Sequence, residues 1–444
     1  MFNEGWNAYL ASNLLTGDPL YYPSSSYITN NYPPLSFLLA GGLGRLGIDA
    51  LIAGRLLSIA GFLVVCGGIV VCLREMRARW LPAFFGMLVF ASYMFIKTNY
   101  VGANEPQLLG HGLAMSGLSL CLIGRRRPLL FPLGMVAIAL SLFTKQMLVI
   151  TPGALFLWWL VHERRTALRL FIGLFVLGCV GLLLSVAWFG TNFLSGITSP
   201  RTYSIYQMIN TGHDALIPLQ IPIMAAILLI GLRPRDSYAQ LCFLIAGCGL
   251  VIGLAMMSAA GVSSNALLDG VIGLSLSSGL LLDRIGYSPG GQPMLAPALA
   301  TVAGFYIAFM MPLIMEITRD DVVPWRWLDK TARIESATDQ DVAMLRTARD
   351  PVLCEELGLC YMAGRKFSFD AYYANQGFKV GRLSEATFLD QIARHEYSVV
   401  QLGTQGPLPP ETSPHRFSDA FYRAILTHYR LDHISPNGSF FLPK

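Results

Sequence analysis

The sequence predicts an α-helical polytopic membrane bundle of about ten spans, with a small C-terminal extracytoplasmic α/β domain. Three observations predict it. Composition is the first: of 444 residues 54% are hydrophobic and only 13% charged, and the mean hydropathy is +0.51, values that no ordinary soluble domain needs. The second is a series of apolar runs at 52–73, 80–96, 108–123, 128–143, 147–161, 168–190, 216–232, 240–260, 267–282 and 296–315, each near the roughly 17–25 residues that a helix needs to cross hydrocarbon. The third is where the arginines fall. Links holding Arg74, Arg77 and Arg79, then Arg125 to Arg127, then Arg164, Arg165 and Arg169, then Arg233 and Arg235, then Arg284 alternate with links holding only Lys97, Lys145 and Arg201 as isolated basic residues. The Arg-rich side is cytoplasmic by the positive-inside rule. The N-terminal loop and the C-terminal tail then share the outer side.

Taken in chain order, residues 1–34 form the first outer loop. Trp6, Tyr9, Leu10 and Leu14 lie at helical spacing, Asn3 is placed to cap that helix and Gly17 to stop it, which predicts an interfacial helix. Met1 falls on the outer side with no apolar segment or signal peptide before it, so the pattern predicts a leading helix that this chain lacks. Residues 35–315 form the transmembrane domain. It opens with Leu35 to Gly47, too short to span and read as re-entrant or juxtamembrane. The polar link at 191–215, with Arg201 and His213, is read as a lid. Residues 316–444 form the extracytoplasmic domain, in which 384–394 and 415–428 carry helical periodicity and 397–402 and 438–442 carry β character.

The net charge of +5 does not mean nucleic acid, because the arginines sit in links between apolar runs and no recognition motif accompanies them. Six of the eight cysteines lie in apolar runs as small hydrophobes. Cys354 and Cys360 lie in the outer tail, where the compartment permits a disulfide. No His or Cys spacing suggests a metal site, and no cofactor is implied.

Ionisable groups at membrane level cost roughly 2.5–3.5 kcal/mol at a helix centre, so those gathered near the outer side need an explanation. Glu4 opens the first loop, in the first helical turn, where the helix dipole favours the carboxylate form. Asn104, Glu105 and Gln107 precede the 108–123 run, Lys145 and Gln146 separate 128–143 from 147–161, and Asn265 and Asp269, four apart, begin 267–282. These groups are expected to border one outer cavity. Lys145, a compact cation at the outer surface, and Arg201, a planar fork, suit a phosphate or pyrophosphate. Each also has a plainer reading: Glu105-Pro106 as a helix start, Lys145 as a snorkelling lysine, Asn265 and Asp269 as interhelical hydrogen-bonding groups, His111 as a core histidine.

With these residues in view, the chain resembles the GT-C class of polytopic glycosyltransferases, in particular bacterial relatives of the protein mannosyltransferases and of the lipid A aminoarabinose transferase (glycosyltransferase family 39-like). Glu4-Gly5-Trp6-Asn7-Ala8-Tyr9, Asn30-Asn31-Tyr32-Pro33-Pro34-Leu35-Ser36-Phe37 and Ala53-Gly54-Arg55-Leu56-Leu57-Ser58 look like the first outer loop and second helix of that class. Asn104-Glu105-Pro106-Gln107, Lys145-Gln146 and Asn265 to Asp269 look like its later outer motifs. The likeness extends to the tail around Cys354-Glu355-Glu356-Leu357 and Tyr361-Met362-Ala363-Gly364.

The resemblance implies a GT-C-like bundle in a bacterial inner membrane that transfers a sugar, with inversion, from a polyprenyl-phosphate donor to a hydroxyl of an envelope glycan, lipid or protein on the outer face. It implies Glu4 as general base, with Asn3 beside it where many relatives carry Asp. That departure leaves Glu4 as sole base or lowers activity. Asn30, Asn31, Tyr32, Asn104, Glu105, Gln107, Lys145, Gln146, Arg201, Asn265 and Asp269 are the substrate-binding candidates. The alternatives are a transporter or flippase of a lipid-linked glycan, which also needs a polar cavity in a helical bundle, and a non-catalytic assembly factor.

Overall fold

The computed structural model describes residues 2–96, 100–286, 304, 306, 324–403 and 416–444. Nine of the ten apolar runs form helices: α3 (Ala50–Glu75), α4 (Trp80–Ile96), α5 (Pro106–Gly124), α6 (Leu130–Thr144), α7 (Ile150–His162), α8 (Arg164–Phe189), α11 (Gln220–Leu232), α12 (Ser237–Met256) and α13 (Leu268–Gly286). The tenth, 296–315, and Lys97 lie outside the described residues. Among the described residues six helical segments are long and apolar enough to cross a membrane, while α4, α6 and α7 are shorter.

Burial sorts these helices. In the most apolar 18-residue stretch of each helix, 89% of residues are buried in Ser264–Ile285 around α13 and 72% in α5, but only 11% in α8. α13 and α5 are therefore the interior of the bundle. α8 turns Phe171, Phe175, Leu183 and Trp188 outward, an apolar belt suited to hydrocarbon. α5 packs between α3 and α6, and α13 packs against α4, α11 and α12.

The Arg-rich links meet at one end. There Arg125 pairs with Glu163 at 2.6 Å, Arg284 with Asp236 at 2.9 Å, and Arg126 with Glu75. The Arg-poor links meet at the other end, with the N-terminal loop and the C-terminal domain. α1 (Phe2–Thr16) is not an amphipathic helix lying in headgroups. Trp6, Ala8, Tyr9, Leu10 and Ala11 are all at most 9% exposed, because α1 is wedged between α2 (Leu35–Gly44), α3 and the C-terminal domain. The wedge is tight: a Cβ on Gly5 would lie 2.2 Å from the Gly358 nitrogen. Asn3 lies within α1 rather than capping it, and Gly17 ends the helix at φ +81° as expected. The 191–215 link forms α9 (Asn192–Ile197), an extended strap and α10 (Ile205–Leu216).

The C-terminal domain begins with α14 (Pro324–Thr347) and holds a four-stranded sheet of β1 (Leu353–Cys354), β2 (Val400–Leu402), β3 (Tyr429–Ser435) and β4 (Gly438–Pro443) in the order β1-β2-β4-β3. β1 and β2 are parallel and the other pairs antiparallel. Between the strands lie α15 (Leu357–Met362), α16 (Ala371–Lys379), α17 (Glu385–Ala393) and α18 (Asp419–His428). Strand alternation gives the sheet two apolar faces. Val400, Leu402 and Phe441 pack against Phe369, Phe388 and Phe421, and Val399 and Phe440 join the cluster that contains Trp6, Leu10 and Leu357. Cys354 and Cys360 are disulfide-bonded, tying β1 to α15.

Candidate active site

At the end shared by α1, the Arg-poor links and the C-terminal domain lies a cavity of about 260 Å³. Seven of the sequence-predicted residues line it: Asn3, Tyr32, Gln107, Lys145, Arg201, Asn265 and Asp269. The fold adds Trp6, Asn7, Tyr372, Tyr373 and Arg416. Three cations and one carboxylate thus share a partly apolar chamber.

Lys145 is held where α6 stops. Its extended backbone (φ −152°, ψ 114°) cannot continue the helix, and its N–H bonds back to the Ser141 carbonyl at 3.0 Å. The ammonium donates to Glu105 Oε1 at 2.8 Å and sits 4.8 Å from the Tyr32 ring centroid, a cation–π arrangement. Lys145 is buried, 5% exposed, so it does not snorkel from a surface. Glu105 precedes Pro106 at the start of α5, as its plainer reading has it, but its carboxylate serves Lys145 and makes no cap bond.

Arg201 comes from the strap before α10. It donates to the Ala260 carbonyl and to the Tyr373 hydroxyl, each at 3.3 Å, while Thr202 binds Gln376. Tyr372 also donates to the Ala260 carbonyl. The strap read as a lid is therefore stitched to α16. Burial raises the Tyr372 pKa to about 12, which keeps that hydroxyl a donor.

Six predicted residues stand behind the walls. Glu4 accepts from Arg55 Nε and Nη2, at 2.9 and 3.2 Å, and from the Asn104 amide at 3.0 Å. Burial raises its pKa, but the Arg55 bond, the Asn104 amide and the Arg55 charge together hold it below the usual carboxylate value. Its carboxylate faces α3, and Asn3, one residue earlier, lines the cavity. Asn104 also accepts from Asn7 at 2.8 Å, fixing α1 against the start of α5. Asn30 braces its own loop through Leu20 and the Tyr32 amide, and Gln146 donates to the Asn31 carbonyl at 2.8 Å. Among the described residues no group of three His, Cys, Asp or Glu side chains is placed to hold a metal ion.

Asp269 sits in the first turn of α13 and is 4% exposed. Thr151 of α7 donates to its Oδ1 at 2.6 Å, and Nε2 of His111 lies 3.7 Å from its Oδ2. Thr151, Tyr372 and Tyr373 gave no local signal in the sequence, since each acquires meaning from a partner far away in the chain.

No family model and no curated protein matches the sequence. Solved structures do match. The crystal structure of ArnT from Cupriavidus metallidurans bound to undecaprenyl phosphate superposes with a TM-score of 0.63, covering 99% of this chain and 93% of that one at 13% identity. The chain has the ArnT fold. The apo state of the same protein gives 0.62, with 99% and 92% covered at 14% identity. The shared fold is a polytopic helical bundle with a C-terminal α/β domain.

Proposed function

We propose that the protein is a membrane glycosyltransferase that takes a sugar from a polyprenyl-phosphate donor and transfers it, with inversion, to an acceptor hydroxyl on the extracytoplasmic face of a bacterial inner membrane. The observation that carries this reading is the cavity in which Lys145, Arg201 and Arg416 stand together with Asp269 at the end of the bundle that bears the C-terminal domain. The match to an ArnT bound to undecaprenyl phosphate supports a lipid-phosphate donor.

Attack at the anomeric carbon needs positive charge around the departing phosphate and a group that accepts the hydroxyl proton. A guanidinium has five N–H donors, and the two Arg201 bonds described above leave others for a phosphate oxygen. Lys145 supplies a second cation whose position Glu105 and Tyr32 fix in advance. The resemblance makes Glu4 the base. Because Arg55 and Asn104 occupy its carboxylate, we give Glu4 the task of fixing the α1 wall and consider below which group takes the proton. Sugar rings have an apolar face and a polar rim, and Trp6, Tyr32 and Tyr373 offer apolar surface beside Asn3, Gln107 and Asn265.

The test is a transfer assay with the purified protein in vesicles and a panel of polyprenyl-phosphate sugars, read by mass spectrometry of donor and acceptor. Sugar should move to acceptor with release of the polyprenyl phosphate. Arg201→Ala should lower kcat by about 10²–10³-fold, the usual cost of one donor to a developing anion. Lipid-linked substrate that crosses the bilayer with its covalent state unchanged would replace this reading with a transporter.

A further inference from the structure

The polar groups behind Asp269 form a chain that the transfer reaction has not yet used. Gln107 Nε2 lies 3.2 Å from the Asn265 backbone carbonyl, which can only accept, so that end of the amide is the NH₂. The same NH₂ faces His111 Nδ1 at 3.5 Å. Nδ1 therefore takes the lone-pair role, and the ring proton belongs on Nε2. His111 is 1% exposed, and its Nε2 has no hydrogen-bond partner; it is turned toward Asp269 Oδ2 at 3.7 Å. Thr151 fixes the other oxygen from α7. A purely structural interhelical bond would be complete with Thr151 alone. Here three elements converge on one carboxylate that lines the cavity.

Resting on the glycosyl-transfer reading, we propose that Asp269 is the catalytic base of the cavity, with His111 and Thr151 as its positioning residues. The acceptor O–H proton passes to the Asp269 carboxylate as the hydroxyl oxygen bonds to the anomeric carbon. The bond from that carbon to the phosphate oxygen breaks, and its electron pair leaves with the lipid phosphate. The hydroxyl of Thr151 holds one carboxylate oxygen in place, and Nε2 of His111 faces the other from 3.7 Å. Lys145, Arg201 and Arg416, the cations that share the chamber, face the departing phosphate. Glu4 does not line the cavity, and its carboxylate is turned to Arg55 and the Asn104 amide.

The experiment compares variants of the whole protein in the vesicle assay, with binding of a non-transferable polyprenyl phosphate measured in parallel. Asp269→Asn should bind the lipid phosphate as the parent does and lose about 10²–10⁴-fold in turnover, the range for a general base. Added formate should restore part of the turnover of Asp269→Gly, which removal of a merely structural carboxylate would not allow. His111→Leu should lower kcat with the donor KM unchanged, and His111→Gln, which keeps an N–H on that side, should recover most of it. An active parent with an equally active Asp269→Asn variant overturns the assignment, and so does formate rescue at Glu4→Gly in place of Asp269→Gly. A parent that transfers no sugar from any donor overturns the function reading instead. Thr151→Val, which leaves the carboxylate intact, keeps the test decisive should Asp269→Asn fail to fold: it should lower kcat alone, and unchanged kcat would sink the proposal.

Discussion

At the scale of residues, the most exacting arrangement is the Lys145–Glu105 pair, whose side chains are 6% and 9% exposed. Removing one partner of such a pair strands the other. Lys145→Met should therefore destabilise the protein by about 3–5 kcal/mol, seen as a lowered melting temperature in detergent. Lys145→Met with Glu105→Gln removes both charges and should regain most of that stability while still failing to bind the donor phosphate. An unchanged melting temperature in the single variant would show the pair to be solvated. The sequence marked both residues through their polarity at membrane level. It could not mark their pairing, because 40 residues separate them, nor that of Glu4 with Arg55, 51 apart. The same blindness explains Asn3. Its side-chain chemistry suits a cap, and only tertiary packing decides that α1 runs through it.

Among the elements, the C-terminal domain carries two groups whose titration points the same way. Burial pushes His433 down, but the hydrogen bonds it donates to Asp432 and Asp341 outweigh it and raise its pKa above 6.5. A raised histidine gives its stabilisation below the unfolded pKa and loses it as pH rises through the folded value. Asp370 caps α16 by accepting from the Tyr372 and Tyr373 amides, and burial pushes its pKa up to about 7. The unfolded chain releases that proton near pH 4, so stability falls as pH climbs from there toward 7. The domain should then melt at lower temperature at pH 8 than at pH 5. His433→Gln should flatten the upper part of the curve and Asp370→Asn the lower, while a melting temperature that rises with pH contradicts both. A second expectation concerns Cys354 and Cys360. Replacing both by Ser frees a short loop and should cost about 2 kcal/mol on the chain-entropy model, measured by denaturant unfolding. Secondary structure here was legible where periodicity was strong, as in α17, α18, β2 and β4. The sequence reading passed over β1 and β3: β1 is two residues long, and β3 is an edge strand exposed along most of its length, with a register shift between Leu431 and His433.

At the scale of the whole molecule, the Arg alternation and the apolar runs made the bundle legible before any residue was placed. The grouping of the described links into two ends was legible too, since charge asymmetry is summed over many residues and tolerates error in any one. Cysteines introduced at Arg126 and at Thr198, both exposed, should react with an impermeant maleimide from opposite sides of an oriented vesicle. Labelling from the same side would undo the topology. What composition could not supply was the docking of the C-terminal domain. That contact completes the cavity wall by adding Tyr372, Tyr373 and Arg416, and complementarity between surfaces leaves no periodic trace.

The brevity of α6 and α7 has a kinetic corollary. With 15 and 13 residues they rise only about 20 Å each, so the turn bearing Lys145 stops short of the roughly 30 Å that hydrocarbon spans. An anion carried on a long isoprenoid tail could then glide sideways into reach without being lifted out of its leaflet. Turnover would in that case follow the donor's mole fraction in the bilayer: diluting the vesicles in buffer should leave the rate per enzyme unchanged, and diluting the donor with inert phospholipid should lower it.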